Sequence, residues 1–275
     1  LRNYRDDSGL NADIDIRTHD IATIGLWGPK AVNALSNFID SNQIDIKNFP
    51  FATAKNLTLD LSGGKKVDVW AARISYVGEC GWDIYFNMDK EDGLALYDSL
   101  LEVGVVPVGI ETYANSRRLE KSFRLQGADL ETEYNSVEAA IQRSLVKEAD
   151  FHGKAAHLSH REEDPCAILC TMTLDDLNVS GITRYPVGIC PIIDPASGEV
   201  PIDSKGRRSY TTGMSYCPSI KKFVAMGYLP RELAIQGKQL LIEYFNEDGD
   251  GIYPITVQIV GKGSLYDPSN ERVRS

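Results

Sequence analysis

Arg73-Ile-Ser-Tyr76-Val-Gly78-Glu79-Cys-Gly81-Trp82-Asp83-Ile-Tyr85 is an apolar strand pattern broken by a Gly-x-x-Gly turn. The pattern predicts two strands joined through the glycines, because glycine permits a tight turn at positive φ and close approach of a ligand to backbone. It also sets a phenol, two carboxylates and an indole within eight residues. The plainest reading is a hairpin with a half-buried Trp82 and two surface acids. The functional reading is a site for a flat heterocycle with several N–H donors, since carboxylates accept and aromatic faces pack. A carboxylate also offers a two-point fit to parallel N–H groups, as it does to a guanidinium.

Working outward, the first dozen residues read as an opening loop, and Ile14–Ile16 and Ile21–Leu26 as strands. Gly28-Pro29 ends the second strand, and the proline suits the first turn of a helix carrying Ala31, Leu35, Phe38 and Ile39 at helical spacing. Asn56–Asp60 and Lys66–Tyr76 form a hairpin around Ser62-Gly63-Gly64-Lys65, and Asp83–Phe86 continues as strand. Leu94, Leu96, Tyr97, Leu100 and Leu101 make a helix face that stops at Gly104, and Val105–Ile110 reads as a short strand. This order predicts an α+β domain, with an antiparallel sheet and helices on one face. Residues 111–160 are charged and helical in tendency. From Cys166 onward short strands alternate with Pro and Gly turns: Ala167–Leu174, Gly213–Tyr216, Val224–Tyr228, Gln239–Tyr244 and Ile255–Val260. These predict a small β-barrel or sandwich, and the boundary is placed so that 1–160 is the α+β domain and 161–275 the second, all-β domain.

The chain has 275 residues, 43% hydrophobic and 25% charged, which is enough for a substantial core and typical of globular proteins. A net charge of −10 argues against non-specific nucleic-acid binding and against anionic membrane surfaces. The five cysteines, Cys80, Cys166, Cys170, Cys190 and Cys217, form no CxxC pair and read as free thiols of a reducing compartment. No apolar run reaches the length of a membrane span, and no signal-peptide pattern is present. The first residue is Leu1, which suggests a processed or partial polypeptide.

Other candidate sites are weaker. Arg117, Glu120, Lys121 and Arg124 in Tyr113-Ala-Asn-Ser-Arg117-Arg118-Leu-Glu120-Lys121-Ser-Phe-Arg124 fall at i,i+3 and i,i+4 spacing. A solvated ion-pair face is the default reading, and a guanidinium aimed at an anionic ligand tail the alternative. His152, His157 and His160 fit no zinc pattern, so no metal is expected. Asn246-Glu-Asp248-Gly-Asp250-Gly251 begins like a calcium loop, but Val257 stands where a bidentate Glu is required, so it reads as a hairpin turn. Neither GxxxxGK[ST] nor a GxGxxG after a strand occurs.

Several segments in order resemble one family: Leu26-Trp-Gly28-Pro29-Lys30-Ala31, Ser75-Tyr-Val-Gly-Glu79 with Gly81-Trp82, Arg118-Leu-Glu-Lys121, Asp150-Phe-His-Gly-Lys154-Ala155-Ala156, Gly213-Met-Ser-Tyr216-Cys-Pro218-Ser219, Met226-Gly-Tyr228-Leu-Pro230, and Tyr266-Asp-Pro268 ahead of Arg272. Together they look like the folate-binding family of the glycine-cleavage aminomethyltransferase (T-protein), closest to the C-terminal folate portion of dimethylglycine and sarcosine dehydrogenases. The resemblance implies that family's fold, with a ferredoxin-like subdomain and a C-terminal barrel, and tetrahydrofolate as cofactor. It implies one-carbon transfer from a small methylated amine or aminomethyl donor to give 5,10-methylenetetrahydrofolate.

By the same resemblance Tyr76 and Asp83 hold the pterin, with Glu79 and Trp82 beside them, and Tyr113 and Arg118 line the folate site; Arg117 is the alternative to Arg118. The family usually has Glu where Asp83 stands. The family's further N-terminal segment, with the Asp that assists transfer, has no counterpart here, so no catalytic residue is assigned. That segment, or a dehydrogenase domain or subunit, is an expected partner, and FAD is expected only with such a domain. The resemblance implies a cytoplasmic location, or the mitochondrial matrix in a eukaryote. The alternatives are a non-catalytic regulatory or structural relative and a folate-dependent O- or S-demethylase. The Lys-Gly-Cys-x-x-Gly-Gln-Glu motif of the iron–sulfur assembly branch is absent.

Overall fold

A computed structural model describes residues 2–88, 90–174, 188–246 and 249–275. The chain divides into two compact units: residues 1–75, 79–107 and 273–275 form the first, and residues 76–78 and 108–272 the second.

The first unit is built on a four-stranded antiparallel sheet in the order β1-β4-β3-β2, with β1 at Ile21–Trp27, β2 at Ala54–Asp60, β3 at Lys66–Ala72 and β4 at Gly81–Asn87. Leu57, Leu59, Val67, Val69, Trp82, Ile84 and Phe86 alternate with polar or exposed residues, so one sheet face is apolar throughout. That face packs with Ala31 and Leu35 of α2 (Ala31–Leu35) and with Leu96 and Leu100 of α3 (Lys90–Glu102). Glu91 and Asp92 lie in the first turn of α3, where they complement the helix dipole. Gly104, at φ +84°, follows its end. The β2–β3 turn is made by Ser62–Gly64 with both glycines at positive φ, as the sequence predicts.

Three expectations in and just beyond this unit change. Arg2–Asp7 is a short helix, α1, rather than loop. Ile14–Ile16 has no strand pairing, and Ile16 is exposed. Val105–Ile110 is not a strand either: Val106, Val108 and Ile110 are 75%, 60% and 75% exposed. Pro107 lacks the N–H a ladder needs, and a β-branched run without a neighbouring strand stays irregular.

The second unit holds a six-stranded antiparallel sheet in the order β6-β9-β10-β5-β8-β7: β5 at Ala167–Leu174, β6 at Ile192–Ile193, β7 at Thr211–Cys217, β8 at Lys222–Pro230, β9 at Gln239–Asn246 and β10 at Gly249–Val260. The sheet curls until its edges meet. Ile189 donates to Thr211 O, and Thr211 donates to Cys190 O, with a bridge between Pro191 and Tyr210. Cys170, Met172, Ile192, Met214, Phe223, Ile242, Ile255 and Val257 are among the residues of one buried cluster of this sheet. Leu169, Val224, Met226 and Tyr228 pack instead with Leu119 of α4 (Arg118–Glu120). α5 spans Lys154–Glu162. β9 and β10 pair up to Asn246 and Gly249, so Asn246 and Gly249–Gly251 of the expected turn are strand, and Glu247 and Asp248 lie outside the described residues. All five cysteines are free thiols.

A buried ion cluster braces this unit. Arg207 donates to Glu138 (2.5 Å) and Asp203 (2.7 Å), and its guanidinium lies 4.2 Å from the Tyr134 ring centroid. Burial alone would raise the Glu138 carboxyl. Hydrogen bonds from Arg207 and the Asn135 N–H, with the Arg207 charge, outweigh it and hold the group below its ordinary 4.5. Asp203 is likewise held below 3.8, burial again opposing the Arg207 hydrogen bonds. A depressed folded-state value stabilises the fold above the unfolded-state value, and that contribution disappears as pH falls through the folded-state value. Stability should therefore drop below about pH 4.5. Glu138→Gln should flatten that acid limb when urea midpoints are compared across pH.

Candidate functional site

β3 ends at Ala72, and the chain loops through residues 73–80 before β4 begins at Gly81. Register then sorts the candidate residues. Trp82 points to the core of the first unit and is 0% exposed; its ring centroid is 6.2 Å from Phe49 and 5.0 Å from the Arg73 guanidinium. Arg73, also buried, donates to Ile44 O (2.9 Å), Phe49 O (2.7 Å) and Ser275 O (2.6 Å). Glu79 is buried as well. The half-buried indole with two surface acids is thus replaced by a core indole, a buried Glu79 and a half-buried Asp83.

Asp83 lies on the opposite sheet face, which is open. It pairs directly with Gly25 on β1 and Ala72 on β3, and shares its face with Tyr85 two residues on. Tyr85 stacks at a tilt on Trp70, with centroids 5.0 Å apart and Trp70 46% exposed. Beyond them a cavity of about 980 Å³ is lined by Asn56, Thr58, Asp68, Trp70, Tyr85 and Asn87 among others. Among the described residues Asp83 has no hydrogen-bond or ion-pair partner. Burial accordingly pushes its carboxyl above the ordinary aspartate value. Tyr85 is raised by burial and then by the Asp83 charge. An unpartnered, partly desolvated carboxylate beside aromatic rings is a ready acceptor for N–H donors.

In the second unit Tyr76 sits with Tyr113 and Phe123, at centroid distances of 5.3 and 5.9 Å. Its hydroxyl donates to Arg124 O (2.9 Å), and burial pushes the phenol up to about 12 against the opposing Arg118 charge. Tyr113 lies in a π-helical segment, Glu111–Arg117, which runs into α4. Arg118 is buried and donates to Asp129 (2.5 Å), Phe123 O (3.1 Å) and Ala114 O.

The solvated ion-pair face expected here is a buried network instead. Arg117 pairs with Glu120 at i,i+3 and also donates to Ser219, but Glu120 is 0% exposed and accepts from the Ser219 N–H. Lys121 donates to Asp267 O (2.6 Å) and Asn270 (2.8 Å). The physical reason is that α4 packs Leu119 into the barrel-side core, which draws the flanking charges out of water. No group of three His, Cys, Asp or Glu fit to hold a metal occurs among the described residues, and His157 hydrogen-bonds with Ser136 (3.1 Å).

Of the six sequence-predicted binding residues, the structure brings Tyr76, Tyr113 and Arg118 together in the second unit and Glu79, Trp82 and Asp83 in one stretch of the first. Sequence reasoning missed Trp27 and Tyr85 as neighbours of Asp83. A legible signal existed for the first: Gly25-Leu-Trp27 within a strand places a ring and a missing side chain on the same face.

The model of the GCVT N-terminal domain matches residues 1–148, so the chain belongs to the GCVT family of aminomethyltransferase-like proteins. It is 30% identical over 281 residues to "Dimethylglycine dehydrogenase, mitochondrial" of Homo sapiens, an alignment spanning 97% of this chain and 28% of the relative. It is 29% identical over 232 residues to the aminomethyltransferase of Koribacter versatilis, spanning 82% of this chain and 54% of the relative. The crystal structure of glycine cleavage system aminomethyltransferase T from Bartonella henselae superposes with a TM-score of 0.69 at 20% identity. That match covers 94% of this chain and 63% of that one, and is a likeness of fold. The chain thus spans little more than a quarter of the dehydrogenase and about half of the aminomethyltransferase. No helix among the described residues is long and apolar enough to cross a membrane.

Proposed function

We propose that this chain is the tetrahydrofolate-binding, one-carbon-transfer portion of an amine-demethylating or aminomethyl-transferring enzyme, with 5,10-methylenetetrahydrofolate as product. The observation that carries the reading is Asp83: a half-buried carboxylate without a partner among the described residues, flanked by aromatic side chains, on an open sheet face. Family membership and the similarity to dimethylglycine dehydrogenase support the choice of folate over other flat heterocycles.

The aminopyrimidinone edge of a folate presents parallel N–H donors, which fit a carboxylate. Asp83 would accept them, at one methylene shorter reach than a glutamate. Tyr76, whose hydroxyl hydrogen is committed to Arg124 O, keeps its phenolic oxygen as an acceptor. Bound folate supplies the amine nucleophile of the reaction. The contribution of Asp83 is orientation, which holds the folate so that a one-carbon donor meets it at short range. No residue of this chain is assigned as acid or base.

Calorimetry with tetrahydrofolate under anaerobic conditions should show saturable binding, and Asp83→Asn combined with Tyr76→Phe should weaken it at least tenfold, about 1.4 kcal/mol. Asp83→Asn alone should also raise the melting temperature of the ligand-free protein. A raised folded-state carboxyl loses stability as pH climbs through it, and the neutral amide is spared that burial penalty. No heat and no thermal stabilisation at millimolar folate would remove the reading.

A further inference from the structure

The open face around Asp83 contains a second device that the unpartnered carboxylate does not explain. A Cβ built on Gly25 would lie 1.9 Å from Trp27 Cη2, 2.3 Å from Cζ2 and 2.4 Å from Cζ3. One on Gly81 would lie 2.7 Å from Trp27 Cδ1 and 2.1 Å from Leu26 O. Gly25 therefore leaves room for the indole, which reaches across the sheet surface towards Gly81 on the neighbouring strand, a position the Leu26 carbonyl and a φ of +158° also keep free of a side chain. Its N–H donates to Ile74 O (3.2 Å), which fixes its rotation.

Gly25 is the direct cross-strand partner of Asp83, and side chains at such positions stand roughly 5 Å apart. The benzene ring of Trp27, occupying the place of a Gly25 side chain, consequently borders the carboxylate. Along β4 the position before Asp83 on this face is Gly81 and the position after it is Tyr85; across on β3 is Ala72. The carboxylate thus stands in a notch walled by Trp27 and Tyr85, beside three positions with small or no side chains. An indole used only as filler could have been replaced by an ordinary side chain at position 25, whereas position 81 is kept as glycine by its φ of +158° and by the Leu26 carbonyl as well. Here the side chain of position 25 is given up, and a rigid aromatic surface meets a carboxylate with no partner among the described residues.

We infer that Trp27 and Tyr85 are ligand-binding residues that clamp the planar head of the folate against Asp83, Trp27 by packing on the ring and Tyr85 by closing the opposite side. The assignment rests on the folate reading and deepens it. The walls confer selectivity for the flat, donor-bearing head group over the aminobenzoyl-glutamate tail.

The test uses the 275-residue chain labelled with 5-fluorotryptophan. Its three indole resonances are assigned by Trp27→Phe, Trp70→Phe and Trp82→Phe, and it is titrated separately with tetrahydrofolate, tetrahydropterin and p-aminobenzoylglutamate. The Trp27 resonance should move saturably with the first two probes and stay still with the tail fragment. Trp27→Leu should weaken tetrahydropterin binding about three- to tenfold, as expected for loss of an aromatic contact, and Trp27→Phe should retain most of it. The unsubstituted protein's spectrum decides the matter even where Trp27→Leu fails to fold. A Trp27 resonance that stays fixed while Asp83→Asn abolishes binding would overturn the clamp and leave the folate reading standing. A protein that binds none of the probes overturns both.

Discussion

Replacing Arg118 by methionine should lower the unfolding free energy by about 3–5 kcal/mol, the usual consequence of breaking a buried ion pair from one side. Arg118 and Asp129 are 1% and 0% exposed, and the guanidinium and carboxylate meet at 2.5 Å. Asp129 also accepts from the Leu125 N–H (2.7 Å) and from the Thr212 hydroxyl, so its charge is held in place by three donors. Methionine fills similar volume but leaves that charge two neutral donors and, of its cations, only the more distant Arg124. Arg118→Lys should recover little, because an ammonium cannot reproduce the fork that also reaches Ala114 O and Phe123 O. Arg118→Met with Asp129→Leu should be milder than the single change, since no uncompensated charge remains. Urea unfolding of the three variants measures this. An Arg118→Met protein of unaltered midpoint that binds folate poorly would instead show a guanidinium free to serve the ligand.

Trp82→Ala should cost about 3–5 kcal/mol, the range for emptying an aromatic core position. The indole is fully buried between Phe49 and the Arg73 guanidinium, and the hole would open beside a buried cation. Trp82→Phe should cost much less. The indole N–H has no acceptor among the described residues, so phenylalanine loses volume but also removes an unsatisfied donor. Comparing the two by thermal and urea unfolding separates packing from polarity. Equal losses would show that the N–H is satisfied in solution, for instance by an ordered water.

The barrel strands were largely legible because alternation and Pro or Gly punctuation mark them locally: β5, β7, β8 and β9 fall where the pattern places them, while β10 begins at Gly249, six residues before the expected Ile255, inside the segment expected as a turn. β6, two residues long, is too short to carry a period. Val105–Ile110 has the composition of a strand without a partner, and pairing is a tertiary fact that composition does not encode. The charges at 117–121 misled for a related reason. Spacing reveals i,i+3 partners such as Arg117–Glu120, whereas Ser219, Asp267 and Asn270, which make the network a buried one, lie about a hundred residues or more downstream. At the candidate site the Gly-x-x-Gly turn and its Asp83 were visible. The inward aim of Trp82 and the rest of the open face depended on register, which a single residue's slip would have inverted.

The bond from Arg73 to Ser275 O spans 202 residues. At translation rates of roughly 5–20 residues per second, a ribosome needs about 10–40 s after making Arg73 before its acceptor exists. Throughout that interval the first unit carries a cation that lacks one of its carbonyl acceptors at the place where it must be buried. The nascent chain should therefore hold this unit in an immature form, open to chaperones and proteases, until synthesis reaches residue 275. Truncations that spare every strand and helix of the unit but remove its final three residues would then mature slowly.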